Sequence, residues 1–248
     1  MNPSPYAASY PVPFTSAHIR ANIVKILLAV GAIVSVILLV SETLSLVVSP
    51  LREDEDIGAN PLGLALTLIT FLVAVLSVLV YVTTVIFFCV WLYRAHGNLT
   101  AFGTPRNGCE YSSGMAVGSF FIPFANLVVP YRAVREVWQK SIPLSESLLS
   151  APGTPTSFPI WWTFWLLSSF AGNLSFRLSF NEKVDESTAT IISIVASALS
   201  IIAALMAYLV VNEIDQRQEE TTQKLGLGRF SRPPVPADLA MANPSMPQ

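Results

Sequence analysis

Side chains able to do chemistry are few and scattered in this 248-residue chain: two histidines, His18 and His96, and two cysteines, Cys89 and Cys109. Structural zinc sites place their Cys and His ligands about two to five residues apart in pairs, a spacing absent here, so the sequence assigns no metal. Two cysteines are also too few for a disulfide framework and read as free thiols. For His96 to serve as a general base it would need a carboxylate within reach. The nearest acidic residue along the chain is Glu110, beyond a Gly/Pro-rich loop. Because no Ser/His/Asp, Cys/His or paired-carboxylate set can be assembled either, the expectation is a protein without catalytic residues, cofactor or metal.

The remaining polar groups of interest sit in apolar surroundings. Glu42 and Asn173 stand alone near the ends of apolar runs, and Asn126 lies between Pro123 and Pro130 inside another. Each proline removes a backbone donor and disturbs the preceding turn, so carbonyls near residues 119 and 126 need new partners. Asn126 satisfies that break or binds a neighbouring helix, or it marks a hairpin that meets a lipid, an ion or a small solute.

The elements that position these groups follow from composition. Hydrophobic residues make up 52% of the chain and charged residues 12%, against roughly 25% charged in a soluble domain. The mean hydropathy is +0.57. These apolar residues form long runs, which points to lipid as the solvent. A net charge of −2, with no Lys/Arg block, argues against a nucleic-acid partner. Runs at about 26–48, 62–93, 158–176 and 188–211 approach or exceed the ~20 residues that cross a bilayer. The first is expected to be a retained signal anchor behind a disordered Pro-rich arm, 1–20. In the second, the uncharged stretch is longer than one crossing needs, so that helix should tilt. Its FFCVWLY end, and Trp161, Trp162 and Trp165 at the start of the third run, suit a membrane–water boundary. Ala196, Ser200 and Ala204 recur at four-residue steps in the fourth, a stripe that admits a close neighbouring helix. A polar extension and Pro-rich tail, 217–248, complete the chain around a membrane domain at 21–216.

Two further elements lie between the second and third runs. Residues 113–131 are apolar but broken by Pro123, Asn126 and Pro130, which suits a re-entrant or interfacial segment better than a straight span. Residues 131–140 follow as a short amphipathic helix with Pro130 at its first turn. Its apolar arc carries Tyr131, Val134, Val137 and Trp138; its polar arc carries Arg132, Arg135, Glu136, Gln139 and Lys140. Three cations at the interface would favour anionic lipid by about 1 kcal/mol each. With four spans, eleven Lys and Arg residues fall on the side of the two termini and three on the other. The positive-inside rule therefore places both termini in the cytoplasm. A fifth crossing would leave six inside and eight outside.

WLYRAHGNLTAFG at 91–103 and AVGSFFIPFANLVVPYRAVREVWQKS at 116–141 resemble the signature of a bacterial membrane family, domain of unknown function 4328. The likeness extends from about residue 23 to residue 220. It implies a multi-span protein of the bacterial inner membrane and no particular activity. The family-like positions are Trp91, Arg94, Asn98, Pro123, Asn126, Pro130, Tyr131 and Trp138. Arg132 and Arg135 join them as candidate interaction residues, through their place on the polar arc.

The sequence therefore predicts an all-α integral membrane protein with four transmembrane helices, a proline-broken segment and a short amphipathic helix. Its leading functional reading is a non-enzymatic component that binds membrane lipids or a protein partner, a second copy included. The alternative is a subunit of a small-solute transporter or channel, because proline-broken segments at membrane depth line substrate paths.

Overall fold

The computed structural model describes residues 14–48, 61–105, 107–147, 153–181 and 183–227. Most of the Pro-rich arm, the acidic loop after the first run and the Pro-rich tail lie outside the described residues. Among the described residues every regular element is helical: α1 (His18–Val48), α2 (Pro61–Gly97), α3 (Ser113–Gly118), α4 (Val129–Lys140), α5 (Leu144–Ser147), α6 (Ser157–Leu178) and α7 (Glu186–Leu225). In an apolar medium a helix satisfies its own backbone, which is why long Leu/Val/Ile/Ala runs adopt no other form there. Pro61 opens α2 where its missing N–H costs nothing. Gly226 closes α7 in the left-handed conformation, φ 66°, its N–H donating to the Gln223 carbonyl at 3.1 Å.

Among the described residues three helices are long and apolar enough to cross a membrane: those at His18–Val47, Gly63–Thr100 and Ser187–Leu225. The helix at Ser157–Leu178 has 22 residues and a higher share of Ser and Trp. The backbones pack most closely in the pairs α2 with α1, α1 with α7, and α7 with α6, and α2 meets α6 through the rings of Phe88 and Trp161, 5.9 Å apart. Neighbours run antiparallel. At one end, here called proximal, the starts of α1 and α6 meet the ends of α2 and α7. There Lys25 Nζ lies 3.3 Å and His18 Nδ1 2.9 Å from Asp215, and Ser157 Oγ donates to Glu213 at 2.9 Å. At the distal end the Glu42 carboxylate accepts from Ser193 and Ser197, and Ser175 Oγ donates to the Ala189 carbonyl at 2.9 Å.

Small residues set the helix spacing. Ala196 is buried, Ala204 packs on the core, and Ser200 Oγ reaches Ser35 Oγ of α1 at 3.2 Å. This is the close approach that the four-residue stripe predicts.

Phe88, Trp91, Trp161 and Trp162, the residues expected at a membrane–water boundary, are buried against one another. They form one cluster, with Phe88–Trp91 and Trp161–Trp162 both at 5.3 Å between ring centroids and Trp162–Trp165 stacked at 4.8 Å. Ring pairs of this kind contribute about 0.5 to 1.5 kcal/mol beyond the area they bury. Of the aromatic side chains at these positions, Tyr93 is the one that stays largely exposed.

Residues 113–131 form no long helix. The chain runs through α3, a 3₁₀ turn at Ser119–Phe121, a reversal at Pro123–Phe124, a second 3₁₀ turn at Ala125–Leu127, and then α4. Its two ends lie together, because Ser113 bonds His96 at 3.0 Å while Glu136 of α4 approaches the same ring. Phe120 fills the gap between α2 and α6, touching Phe88 on one side and Trp162 and Trp165 on the other.

Candidate functional site

The broken segment is held by its neighbours. Ser112 caps α3, its Oγ accepting from the Met115 N–H at 3.1 Å. The Leu127 carbonyl, next to the one that Pro130 leaves without its helical donor, accepts from the Trp162 indole N–H at 3.0 Å, so α6 ties down the break. The Asn126 side-chain oxygen is buried and has no hydrogen-bond partner.

At the tip the backbone reverses through Phe124, at φ 65° and ψ −44°, and the Ala125 N–H returns to the Pro123 carbonyl at 2.8 Å. This is the strained form of the three-residue turn, rare for a bulky side chain. Strain of this kind costs about 1 to 3 kcal/mol and persists only where surroundings impose it. It leaves Phe124 87% and Phe121 69% exposed, with Ile122, Leu127 and Val128 also uncovered. Pro123, Phe124 and Asn126 form one wall of a groove of about 310 Å³; Trp165, Phe170 and Asn173 of α6 form the other. Asn173 is otherwise bonded to its own helix, at the Ser169 carbonyl, 2.8 Å away.

α4 lies beside this hairpin. Val134 and Val137 of the expected apolar arc are buried, as are Pro130 and Ala133, and Tyr131 and Trp138 pack partly against the core. Trp138 meets Phe158 in a tilted ring pair at 5.7 Å, carries the Arg217 guanidinium 3.9 Å above its ring, and donates to the Gly153 carbonyl at 3.1 Å. Arg132 and Arg135 are exposed. Arg132 stands 3.8 Å from Glu110, and Arg135 has no ion-pair partner among the described residues.

Two members of the predicted polar arc face inward instead. Glu136 is buried, accepting from the Glu110 N–H at 2.6 Å and the Tyr111 N–H at 3.3 Å. Lys140 folds back onto Glu136 and onto the Gly108 carbonyl. The basic face therefore consists of Arg132 and Arg135, not of three cations. Burial alone would raise the Glu136 carboxyl, but the His96 ring, Lys140 and the Glu110 N–H outweigh it and hold the group at about 2.

His96 is also better supplied than the sequence indicated. Its Nδ1 is 3.0 Å from Ser113 Oγ, and its Nε2 is 3.7 Å from Glu136 Oε2, beyond hydrogen-bond range. The partner carboxylate lies 40 positions downstream, out of reach of an argument from neighbours in sequence. Cys109 borders the same space, its thiol pushed up by burial and further by the Glu136 charge, against the opposing effect of Lys140.

The other predicted positions are structural. Trp91 is fully buried in the aromatic cluster. Arg94 Nε donates to the Thr15 carbonyl at 3.3 Å, tying the chain before α1 to the end of α2. Asn98 is buried and donates to Gln218 at 3.3 Å; Gln218 in turn donates to the Ala95 carbonyl at 2.9 Å and to Ser141 Oγ at 3.0 Å. Gln218 was not singled out in the sequence, and its place in a polar extension offered no signal of burial.

The family described as "Domain of unknown function (DUF4328)" matches residues 64–216, a stretch from the start of α2 into the proximal half of α7. Neither the curated proteins nor the solved structures contain a significant match to this chain.

Proposed function

This chain belongs to the DUF4328 family, and we propose that it is a four-span protein of the bacterial inner membrane that binds anionic lipid without catalysing a reaction. Both termini are cytoplasmic in this reading, and the proximal end faces the cytoplasm. Three helices already have the length and apolarity to cross. The 22 residues of α6 add a fourth of about 33 Å at 1.5 Å per residue, enough for a ~30 Å core. The antiparallel packing and the eleven-to-three split of basic residues support the same topology.

The observation that carries the lipid reading is the hairpin tip. A strained turn holds Phe124 outward, and no described residue covers it. Aromatic side chains in that position gain about 25 cal/mol for each Å² removed from water. In the cytoplasmic leaflet the tip would lie among acyl chains, while Arg132 and Arg135 on α4 would reach the headgroup phosphates. The segment thus enters one leaflet and returns to the side it left.

Retention of lipid by the full chain tests this reading. In native mass spectrometry from mixed micelles, phosphatidylglycerol should be retained over phosphatidylcholine, and less so at high salt. The double variant Arg132→Gln/Arg135→Gln should lose roughly thirtyfold in that preference, at about 1 kcal/mol per cation. Equal retention of the two lipids by the unaltered chain would remove the reading.

A further inference from the structure

We propose that His96, Cys109 and Glu136 form a binding site for a borderline divalent transition-metal ion of the zinc class. The three residues come from different elements: the last turn of α2, the loop before α3, and the middle of α4. Their donor atoms, an imidazole nitrogen, a thiol sulfur and a carboxylate oxygen, all lie within 4.8 Å of one another. Ligands arranged tetrahedrally at about 2.0 to 2.3 Å from zinc are about 3.3 to 3.8 Å apart. The His96–Glu136 edge, at 3.7 Å, need shorten by only a few tenths of an ångström to reach the ~3.3 to 3.5 Å of a nitrogen–oxygen edge. Cys109 Sγ need move inward by no more than about 1 Å, which a side-chain rotation in a loop supplies.

A second observation points to a ligand. His96 is 5% exposed, and its Nε2 is buried without a hydrogen-bond partner, aimed at the other two donors. A buried, orphaned ring nitrogen is costly unless something binds it. The ring is also set in the orientation a metal ligand requires. Its Nδ1 lies 3.0 Å from Ser113 Oγ, so a proton held there donates to the hydroxyl and leaves the Nε2 lone pair pointing into the site. Glu136 is oriented in a similar way. Its Oε1 is occupied by Lys140 and the Glu110 N–H, which turns Oε2, an acceptor of one long bond from the Tyr111 N–H at 3.3 Å, toward His96.

Donor chemistry selects the ion. One nitrogen and one sulfur among three donors exclude calcium and magnesium, which take oxygen, and favour zinc or a metal of similar softness. On binding, Cys109 releases its Sγ–H proton to solvent and coordinates as thiolate. Thiolate and carboxylate then balance the two charges of the ion, and Lys140 remains outside the coordination sphere on Gly108 and on the second carboxylate oxygen. The other His/carboxylate group, His18, Asp215 and Glu219, lacks these properties. Its histidine side chain is half exposed and already bonded to Asp215, Lys25 pairs with the same carboxylate, and Ser16 occupies Glu219.

Cobalt(II) is a suitable probe for the test, added to the full chain in detergent after treatment with a chelator. One equivalent should bind, with a near-ultraviolet thiolate-to-cobalt charge-transfer band that Zn²⁺ abolishes by displacement. The band should persist in Cys89→Ser and His18→Gln and vanish in Cys109→Ser. Cys109→His should bind the ion without the band, a result that separates loss of the sulfur from loss of the fold. Ser113→Ala should weaken binding about tenfold, as expected when the partner that orients a metal-bound histidine is removed. Absence of saturable binding by the unaltered chain, or an unchanged band in Cys109→Ser, would overturn the proposal.

Discussion

Replacing Gln218 by Leu should destabilise the protein more than most single changes in its membrane helices, although the new side chain has nearly the same volume. Gln218 is 3% exposed, and three hydrogen bonds converge on it: to the Ala95 carbonyl at 2.9 Å, to Ser141 Oγ at 3.0 Å, and from Asn98 Nδ2 at 3.3 Å. At a net contribution of about 1 kcal/mol per bond, their loss amounts to about 3 kcal/mol. Burial of the abandoned Asn98 amide adds about 1 kcal/mol. Asn98→Ala removes only the longest of these bonds and should cost about 2 kcal/mol, including the small cavity. The two changes share a partner, so their combination should fall short of the sum by about 1 to 2 kcal/mol. Reversible unfolding in mixed micelles, followed by circular dichroism, measures all three variants. A cost below about 1 kcal/mol for Gln218→Leu, or additivity within about 0.5 kcal/mol, would refute the idea that this network fastens α7 to α2 and α4.

Three further outcomes follow from the same geometry. Ser200→Leu should lower the thermal midpoint through overpacking of about 1 to 3 kcal/mol against Ser35 of α1, whereas Leu205→Ala, at an exposed position, should change it little in detergent. Trp162→Phe keeps the ring cluster but removes the donor to the Leu127 carbonyl, at a cost of about 1 to 2 kcal/mol. Limited proteolysis should then cut within 119–131 faster than in the unaltered chain. Phe124→Gly relieves a positive φ and should raise stability in detergent by about 1 kcal/mol, while reducing lipid retention; a loss of stability would show that the turn is not strained.

The long helices were legible because span length and apolarity are properties of a run, independent of its neighbours. The proline break was legible for the same reason: Pro123 and Pro130 interrupt the ladder wherever the segment lies. The stripe at Ala196, Ser200 and Ala204 gave the one reliable mark of a packed face, since small side chains are the means by which helices approach in an apolar medium. Other faces carry no such mark. When the solvent is as apolar as the core, Trp161 and Trp162 look alike at a headgroup boundary and inside an aromatic cluster. Glu136 was placed on a solvated arc because the helical wheel of α4 assigns charge outward; the N–H groups of Glu110 and Tyr111, which turn it inward, belong to a loop whose position the wheel does not contain. His96, Cys109 and Glu136 are separated along the chain by 13 and 27 positions, so their meeting depends on how α4 docks. Gln218 is the same case in reverse, a residue of a polar extension buried by partners 77 and more positions away.

The depth of the hairpin tip tests the proposed topology most directly. In a chain with Cys89→Ala and Cys109→Ser, a nitroxide would be attached at Phe124→Cys and, separately, at exposed Ser145→Cys, and each protein reconstituted in anionic liposomes. Collision with oxygen and with a polar nickel chelate reports the depth of each label. The label at position 124 should be open to oxygen and shielded from the chelate, at a depth within one leaflet. The label at 145 should be freely accessible to the chelate. A label at 124 as open to the chelate as the one at 145 would place the tip in water and contradict the account.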